Sequence, residues 1–199
     1  MSIMIPLDQL ATQSKRKPGS KGKYGGNYES YDRKTVEDPL RGPRIPPQDH
    51  ESEKALLGSL LLSSDALVDI SDIVRAQSFY AAKHQIIYET IEELVNKKEP
   101  VDILTVSAAL RARKEFDQIG GASYLSDLLG LVGSASNAKY YAQIIRKKEL
   151  LRRLIEASTH IGEIAYDESD PLETVLEESE KMIYEITTQG GSSDRLIGF

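Results

Sequence analysis

The 199-residue chain contains no cysteine, and its apolar runs are short. Without cysteine it forms neither disulfides nor thiolate metal sites, so a reducing cytoplasm is the expected compartment. The longest apolar run, residues 55–62, is interrupted by Gly58 and Ser59 and is far too short to span a bilayer. Residues 1–10 lack a basic start followed by an apolar core, so no secretory signal is expected.

The common catalytic motifs are also lacking. Gly22-Lys23 resembles the end of a phosphate loop, but Lys17 stands where that loop needs glycine and Tyr24 where it needs serine or threonine. No Gly-x-Ser-x-Gly nucleophile elbow occurs. We therefore predict no catalytic residue and no cofactor-binding residue in this chain, and we disfavour an ATPase.

The three histidines, His50, His84 and His160, are assigned to separate helices, with no second histidine or carboxylate noted in ligand register. Isolated histidines on helices serve in packing or at the surface more often than as metal ligands. The sequence analysis therefore assigns no metal ligand.

Charge is distributed unevenly along the chain. The net charge is −6, but residues 1–44 carry +4 and residues 45–199 carry −10. Residues 1–44 are rich in Lys, Gly, Ser, Tyr and Pro and poor in aliphatic side chains, which predicts a disordered basic tail. Its cations and interleaved tyrosines suit contact with single-stranded nucleic acid, although a solvated tail fits the same composition. The candidate nucleic-acid contacts are Lys15, Arg16, Lys17, Lys21 and Lys23.

Beyond Pro46-Pro47 the apolar residues recur at helical spacing, and no window alternates with period two. Asp49 and Asp102 precede two of these periodic segments as N-caps, and Gly120-Gly121 separates two others. The pattern predicts an all-α protein. We divide it into a disordered basic tail (1–44), a small helical head (45–135), a projecting helical hairpin (136–168), an amphipathic linker helix (169–191) and a disordered C-terminus (192–199).

Residues 136–168 continue at helical spacing for longer than a small head needs. They form either one uninterrupted helix or, with residues 146–149 as a turning point, an antiparallel hairpin. In both forms apolar side chains project beyond the head, and self-association is the economical way to cover them. The residues predicted to form this subunit interface are Tyr141, Ile144, Ile145, Leu151, Leu154 and Ile155.

The last predicted helix has clear boundaries, with Asp170 as a cap, Pro171 at the first helical position and Gly190-Gly191 at the end. Its apolar residues follow one stripe, and nothing after it in the sequence is long enough to cover that stripe. The residues predicted to dock the linker helix on a neighbour are Leu172, Val175, Leu176, Met182, Ile183 and Ile186.

A series of short motifs from Ile45 to about Gln189 resembles the N-terminal domain and linker helix of the bacterial replicative DNA helicase, the DnaB family. The motifs are Ile45-Pro46-Pro47, Glu51-Ser52-Glu53, Leu56-Leu57-Gly58-Ser59-Leu60, Phe79-Tyr80 with His84 and Ile87-Tyr88, and Pro100-Val101-Asp102 with Thr105 and Leu110. They continue with Gly120-Gly121, Tyr124-Leu125, Ser136-Asn137, Tyr140-Tyr141-Ala142, Ile144-Ile145-Arg146 and the helix through Glu180, Ile183, Tyr184 and Ile186. Each motif is weak alone, but their order and spacing are specific together.

The resemblance implies a collar in which hairpins pair into dimers and three dimers form a hexamer. It implies docking of primase and of a helicase loader, and a linker helix that packs on a neighbouring motor domain. In the family ATP and Mg²⁺ bind to that RecA-like motor, whose phosphate loop does not occur in these 199 residues. The implied place is the cytoplasm, at the nucleoid, with DNA contacted only indirectly or through the tail.

A different class of function stays open at this point. The tail and the basic cluster at residues 146–153 also suit a stand-alone DNA-binding or regulatory module.

Overall fold

A computed structural model describes residues 45–167 and 169–191 of the chain. These residues form seven α-helices and two short 3₁₀ turns, with no strand among them, which confirms the all-α prediction. The sequence predictions for residues 1–44 and 192–199 lie outside the described residues. The helices are α1 (His50–Leu62), α2 (Ala66–Ile70), α3 (Ala82–Asn96), α4 (Ile103–Ala112), α5 (Gly121–Gly130), α6 (Ala138–Tyr166) and α7 (Leu172–Gly191).

The helices begin where side chains satisfy the free backbone donors of the first turn. Asp49 accepts a hydrogen bond from the Ser52 amide at 2.9 Å at the start of α1. At the start of α4, Asp102 accepts from the Thr105 amide at 2.8 Å, and the Thr105 hydroxyl accepts from the Asp102 amide at 3.0 Å. Such reciprocal caps stabilise a helix start and set the direction of the incoming chain. Both aspartates serve as the sequence predicted.

Helix α1 is the centre of the head. It packs on α3, α5 and α6, and Leu56, Leu57 and Leu60 are fully buried between them. Tyr88 of α3 is also fully buried, and its hydroxyl donates to the Val74 carbonyl oxygen at 3.2 Å. Because α1 lies between α3, α5 and α6, its buried leucines join theirs in one apolar core of the head.

Helix α6 runs without interruption over 29 residues, about 43 Å at 1.5 Å per residue. The turn predicted at residues 146–149 is therefore wrong. That segment contains neither proline nor glycine, and Arg146 pairs with Glu149 one turn later at 2.6 Å, so its polar side chains continue the helix.

An antiparallel hairpin nevertheless exists, between α6 and α7. His160 of α6 lies beside Glu178 of α7, while Ala157, one turn earlier in α6, lines a cleft with Ile186, two turns later in α7. The chain reverses direction between Tyr166 and Leu172. None of the helices in the described ranges is long and apolar enough to cross a membrane.

Candidate interaction surface

Helix α6 changes role along its length. In its first half, Ala138, Ala142 and Ile145 are buried in the core of the head. In its second half the one buried side chain is Ala157, and the helix packs instead on α7. The second half of α6 and the whole of α7, which we call the hairpin surface, thus lie outside the head's core.

The predicted subunit-interface residues divide between the head and this surface. Ile145 is 2% exposed and packs inside the head, so its assignment to a subunit seam is wrong. Tyr141 packs partly against the same core, and Ile144 is half-buried. Leu151, Leu154 and Ile155 remain 41%, 43% and 53% exposed. For these exposed residues, contact with another subunit stays a prediction.

The predicted linker stripe divides in a similar way. Val175, Met182 and Ile186 are half-buried, and the latter two line a cleft of about 250 Å³ with Ala157 and His160 of α6. Leu172, Leu176 and Ile183 are exposed. One edge of the stripe therefore packs within the hairpin, while the other edge faces solvent.

Two exposed tyrosines of the hairpin were not among the predicted site residues. Tyr166, at the end of α6, is 83% exposed, and Tyr184 of α7 is 67% exposed. Together with the exposed leucines and isoleucines they add apolar side chains to a surface that also carries charges, and exposed apolar side chains that lie together on soluble proteins mark interaction sites. The sequence signal for Tyr184 was its place beside Ile183 in the last motif of the family resemblance.

The basic cluster of α6 is used partly inside the head. Arg152 donates to the carbonyl oxygens of Pro47 at 2.8 Å and Ser78 at 2.6 Å, and so fastens the segment before α1 and one 3₁₀ turn to α6. Arg146 is paired with Glu149. The neighbouring cleft of about 550 Å³ is lined by both signs of charge, with Asp72 and Glu156 facing Arg75, Arg146, Arg152 and Arg153. The cluster is therefore not a uniformly cationic surface.

A buried polar network was missed by the sequence analysis. The carboxylate of Glu53 accepts hydrogen bonds from the Tyr80 amide at 2.6 Å, the Ala81 amide at 3.3 Å and His84 Nδ1 at 2.5 Å. Burial opposes its charge, but the hydrogen bonds from His84 and the two amides outweigh that effect and hold the pKa of Glu53 below its ordinary value of 4.5. The network joins the start of α3 to α1.

Tyr124 of α5 extends this network. Its hydroxyl oxygen lies 2.6 Å from Nε2 of His84, and the two rings stack with centroids 6.0 Å apart. Three helices thus meet at a single buried histidine, which is only 1% exposed. The expectation that no carboxylate or second histidine lies near His84 is wrong, because the fold places both Glu53 and His50 beside it.

The described residues thus form an all-helical head followed by the α6–α7 hairpin, one edge of which exposes apolar side chains. The chain belongs to the family described as DnaB-like helicase N terminal domain, whose sequence profile matches residues 45–147. The profile covers the head and the first third of α6.

Individual relatives agree with the family assignment. The chain is 42% identical over 148 residues to the replicative DNA helicase DnaB of Geobacillus stearothermophilus, which covers 74% of this chain and 33% of that protein. It is 38% identical over 154 residues to the replicative DNA helicase DnaC of Bacillus subtilis, covering 77% and 34%. The chain spans about a third of the length of these relatives.

Two solved structures are similar in fold. The crystal structure of the N-terminal domain of DnaB helicase from Mycobacterium tuberculosis matches with a TM-score of 0.68 and 40% identity, covering 71% of this chain and 99% of that one. A DnaB-like replicative helicase, described with its interactions with primase, matches with a TM-score of 0.60 and 25% identity, covering 71% and 31%. The resemblance drawn from the sequence is confirmed.

Proposed function

We propose that this chain acts in DNA replication as the non-catalytic collar of a replicative helicase, which joins subunits and offers a docking surface to other replication proteins. The observation that carries this proposal is the exposed apolar edge of the hairpin. Leu154, Ile155 and Leu176 stay 43–59% exposed, on the parts of α6 and α7 that supply no residue to the core of the head. An apolar surface of this kind is stabilised when a second copy covers it.

The first step of such an assembly would be a dimer, formed when the hairpins of two subunits pair. A two-fold interface brings the same surface of both copies together, and the exposed edges of α6 and α7 are both available for it. Three dimers would then give a hexameric collar. Primase is the proposed docking partner because a similar helicase has been solved with its interactions with primase; a helicase loader is proposed on the family resemblance alone.

The proposed role requires no cofactor on this chain, since ATP and Mg²⁺ would serve a motor domain. It would place the chain in the cytoplasm, at the chromosome. Contact with DNA would be indirect, or would use the basic residues of the tail.

Sedimentation velocity at tens of micromolar tests the proposal. We expect the 199-residue chain to sediment as a dimer or a larger assembly, and Ile155→Glu to dissociate it, because a buried unpaired charge is costly at an apolar interface. Leu104→Glu is the matched control, since Leu104 of α4 is 80% exposed but lies in the head. A strict monomer, or equal effects of both substitutions, would contradict the proposal.

Titration with the primase of the same organism tests the docking role. We expect saturable binding to the oligomer, and its absence would remove this part of the proposal. The stand-alone DNA-binding alternative has another signature, which is salt-sensitive binding to single-stranded DNA that disappears when residues 1–44 are deleted.

A further inference from the structure

A cluster of three ligand-type side chains lies where α1 meets the start of α3. His50 and Glu53 are one turn apart on α1, and His84 stands in the first turn of α3. Nδ1 of His50 lies 3.9 Å and Nδ1 of His84 2.5 Å from Oε2 of Glu53. The ligand atoms of all three residues lie within 4.8 Å of one another. The site is separate from the hairpin surface on which the proposed function rests.

We propose that His50, Glu53 and His84 bind a divalent transition-metal ion of the Zn²⁺ class. Two imidazoles and one carboxylate form a three-residue donor set typical of zinc sites that keep a fourth position for water. Two nitrogen donors in three favour such ions over Mg²⁺ and Ca²⁺, which prefer oxygen.

The distances require only small movements. Two ligands on a tetrahedral ion with bonds of about 2.0–2.1 Å are about 3.3 Å apart. Oε2 of Glu53 and Nδ1 of His84 must therefore separate by less than about 1 Å, and Nδ1 of His50 must approach Oε2 by a similar amount. The two imidazole nitrogens, within 4.8 Å of each other, must approach by up to about 1.5 Å. His50 is free to do so because it is 46% exposed and is the first residue of its helix.

The surroundings hold the two buried ligands in place. Oε1 of Glu53 accepts from the Tyr80 amide at 2.6 Å, and Oε2, which faces the cluster, also accepts from the Ala81 amide at 3.3 Å. Nε2 of His84 lies 2.6 Å from the Tyr124 hydroxyl oxygen. When the metal takes Nδ1, the remaining ring proton sits on Nε2 and donates to that oxygen, as second-shell partners of metal-bound histidines do.

Binding at this site has a chemical signature. In the metal-free protein Nδ1 of His84 donates its proton to Glu53. To bind a metal at Nδ1, the neutral ring must carry its single proton on Nε2 instead. Because protons compete with the metal for the ligand atoms, affinity falls at acidic pH. The exposed side of His50 gives the ion and its fourth ligand, a water molecule, access from solvent.

The test is a titration of the untagged 199-residue chain with Zn²⁺ by calorimetry and with Co²⁺ by visible absorption. His50→Ala removes the exposed ligand and leaves the buried Glu53–His84 bond intact, so the head should stay folded. His160→Ala is the matched control. His160 is 44% exposed and lies 3.2 Å from Glu178 and 3.9 Å from Glu163, but among the described residues these groups do not come close enough together to hold a metal ion.

We expect one Zn²⁺ per chain, tetrahedral Co²⁺ bands, and a rise in Tm with saturating Zn²⁺. His50→Ala should weaken binding by at least about tenfold and lower the Tm rise at the same Zn²⁺ concentration, whereas His160→Ala should match the wild type. No one-to-one binding, unchanged affinity in His50→Ala, or a loss confined to His160→Ala would each overturn the proposal.

Discussion

Gly58 of α1 lies directly against the backbone of Leu128 of α5. A Cβ atom at Gly58 would stand 2.2 Å from the Leu128 carbonyl oxygen and 3.0 Å from Cγ2 of Val132. No rotamer change relieves a contact with a carbonyl oxygen, so the close packing of α1 on α5 depends on the missing side chain.

Gly58→Ala should therefore destabilise the head by about 2–3 kcal/mol, although alanine is the better helix former. Gly162→Ala in α6 is the matched control, because a Cβ there meets nothing within 4 Å. That change should stabilise the protein by about 0.5–1 kcal/mol. Urea unfolding followed by circular dichroism measures both. A neutral Gly58→Ala variant would show that α1 and α5 pack less tightly.

The buried carboxylate of Glu53 should make the head sensitive to acid. The pKa of Glu53 is below its ordinary 4.5 because hydrogen bonds to the charged form outweigh its burial. A depressed pKa contributes stability that is fully present above the unfolded value of about 4.5 and is lost as pH falls through the lower folded value. Stability should thus fall below about pH 4.5.

The variant Glu53→Gln checks this origin. It should cost about 2 kcal/mol or more at pH 7, where charged hydrogen bonds are lost, and the difference from wild type should shrink below pH 4.5. Urea midpoints from pH 7 to pH 3 give the comparison. Glu51→Gln, at an exposed site on the same helix, should follow the wild-type profile. If Glu53→Gln differed from wild type in stability by the same amount at every pH, the loss would come from altered packing and not from the charge of Glu53.

Local signals in the sequence were sufficient for the helices and their starts. Asp49 and Asp102 cap as predicted because a cap involves residues only three apart. The course of α6 was ambiguous, since the polar residues 146–149 suit both a turn and the outer face of a helix. The pair Arg146–Glu149 is compatible with either form, and only the continuous helix Ala138–Tyr166 in the structure decides between them.

Tertiary relationships were beyond local reasoning. Periodicity identified both Ile145 and Ile155 as apolar stripe residues, but only packing shows that one is buried in the head and the other exposed. Glu53 and His84 are 31 residues apart, so their pairing depends on how α1 crosses the start of α3. The charge on Glu53 is acceptable inside the head only because that crossing supplies three donors.

Arg152 should prove to be a structural residue. It joins the Pro47 and Ser78 carbonyls to α6, so Arg152→Ala should destabilise the head by about 1.5–3 kcal/mol. Arg152→Lys should recover little of this, because one ammonium group does not reproduce the forked geometry of the guanidinium. Lys147→Ala, at an exposed position five residues earlier in α6, is the control and should be nearly neutral. Thermal unfolding distinguishes the variants. Equal Tm values for all of them would show that the hydrogen bonds of Arg152 do not stabilise the head.

Removing residues 168–199 should separate the stability of the head from association. The core residues all come from segments before Tyr166, and no α7 side chain described, up to Thr188, is fully buried. The free energy of unfolding of the head, measured with urea, should therefore change by less than about 1 kcal/mol. The second half of α6, left without its partner, should fray as short isolated helices do.

The loss of helical circular dichroism should then exceed what the α7 residues alone contribute, and sedimentation should report a weaker oligomer. A truncated chain whose head unfolds at markedly lower urea would mean that α7 belongs to the cooperative unit of the head. A truncated chain that associates as strongly as the full one would place the subunit contact on α6 alone. Leu151, Leu154 and Ile155 would then form it, because these side chains of α6 are exposed even when α7 is present.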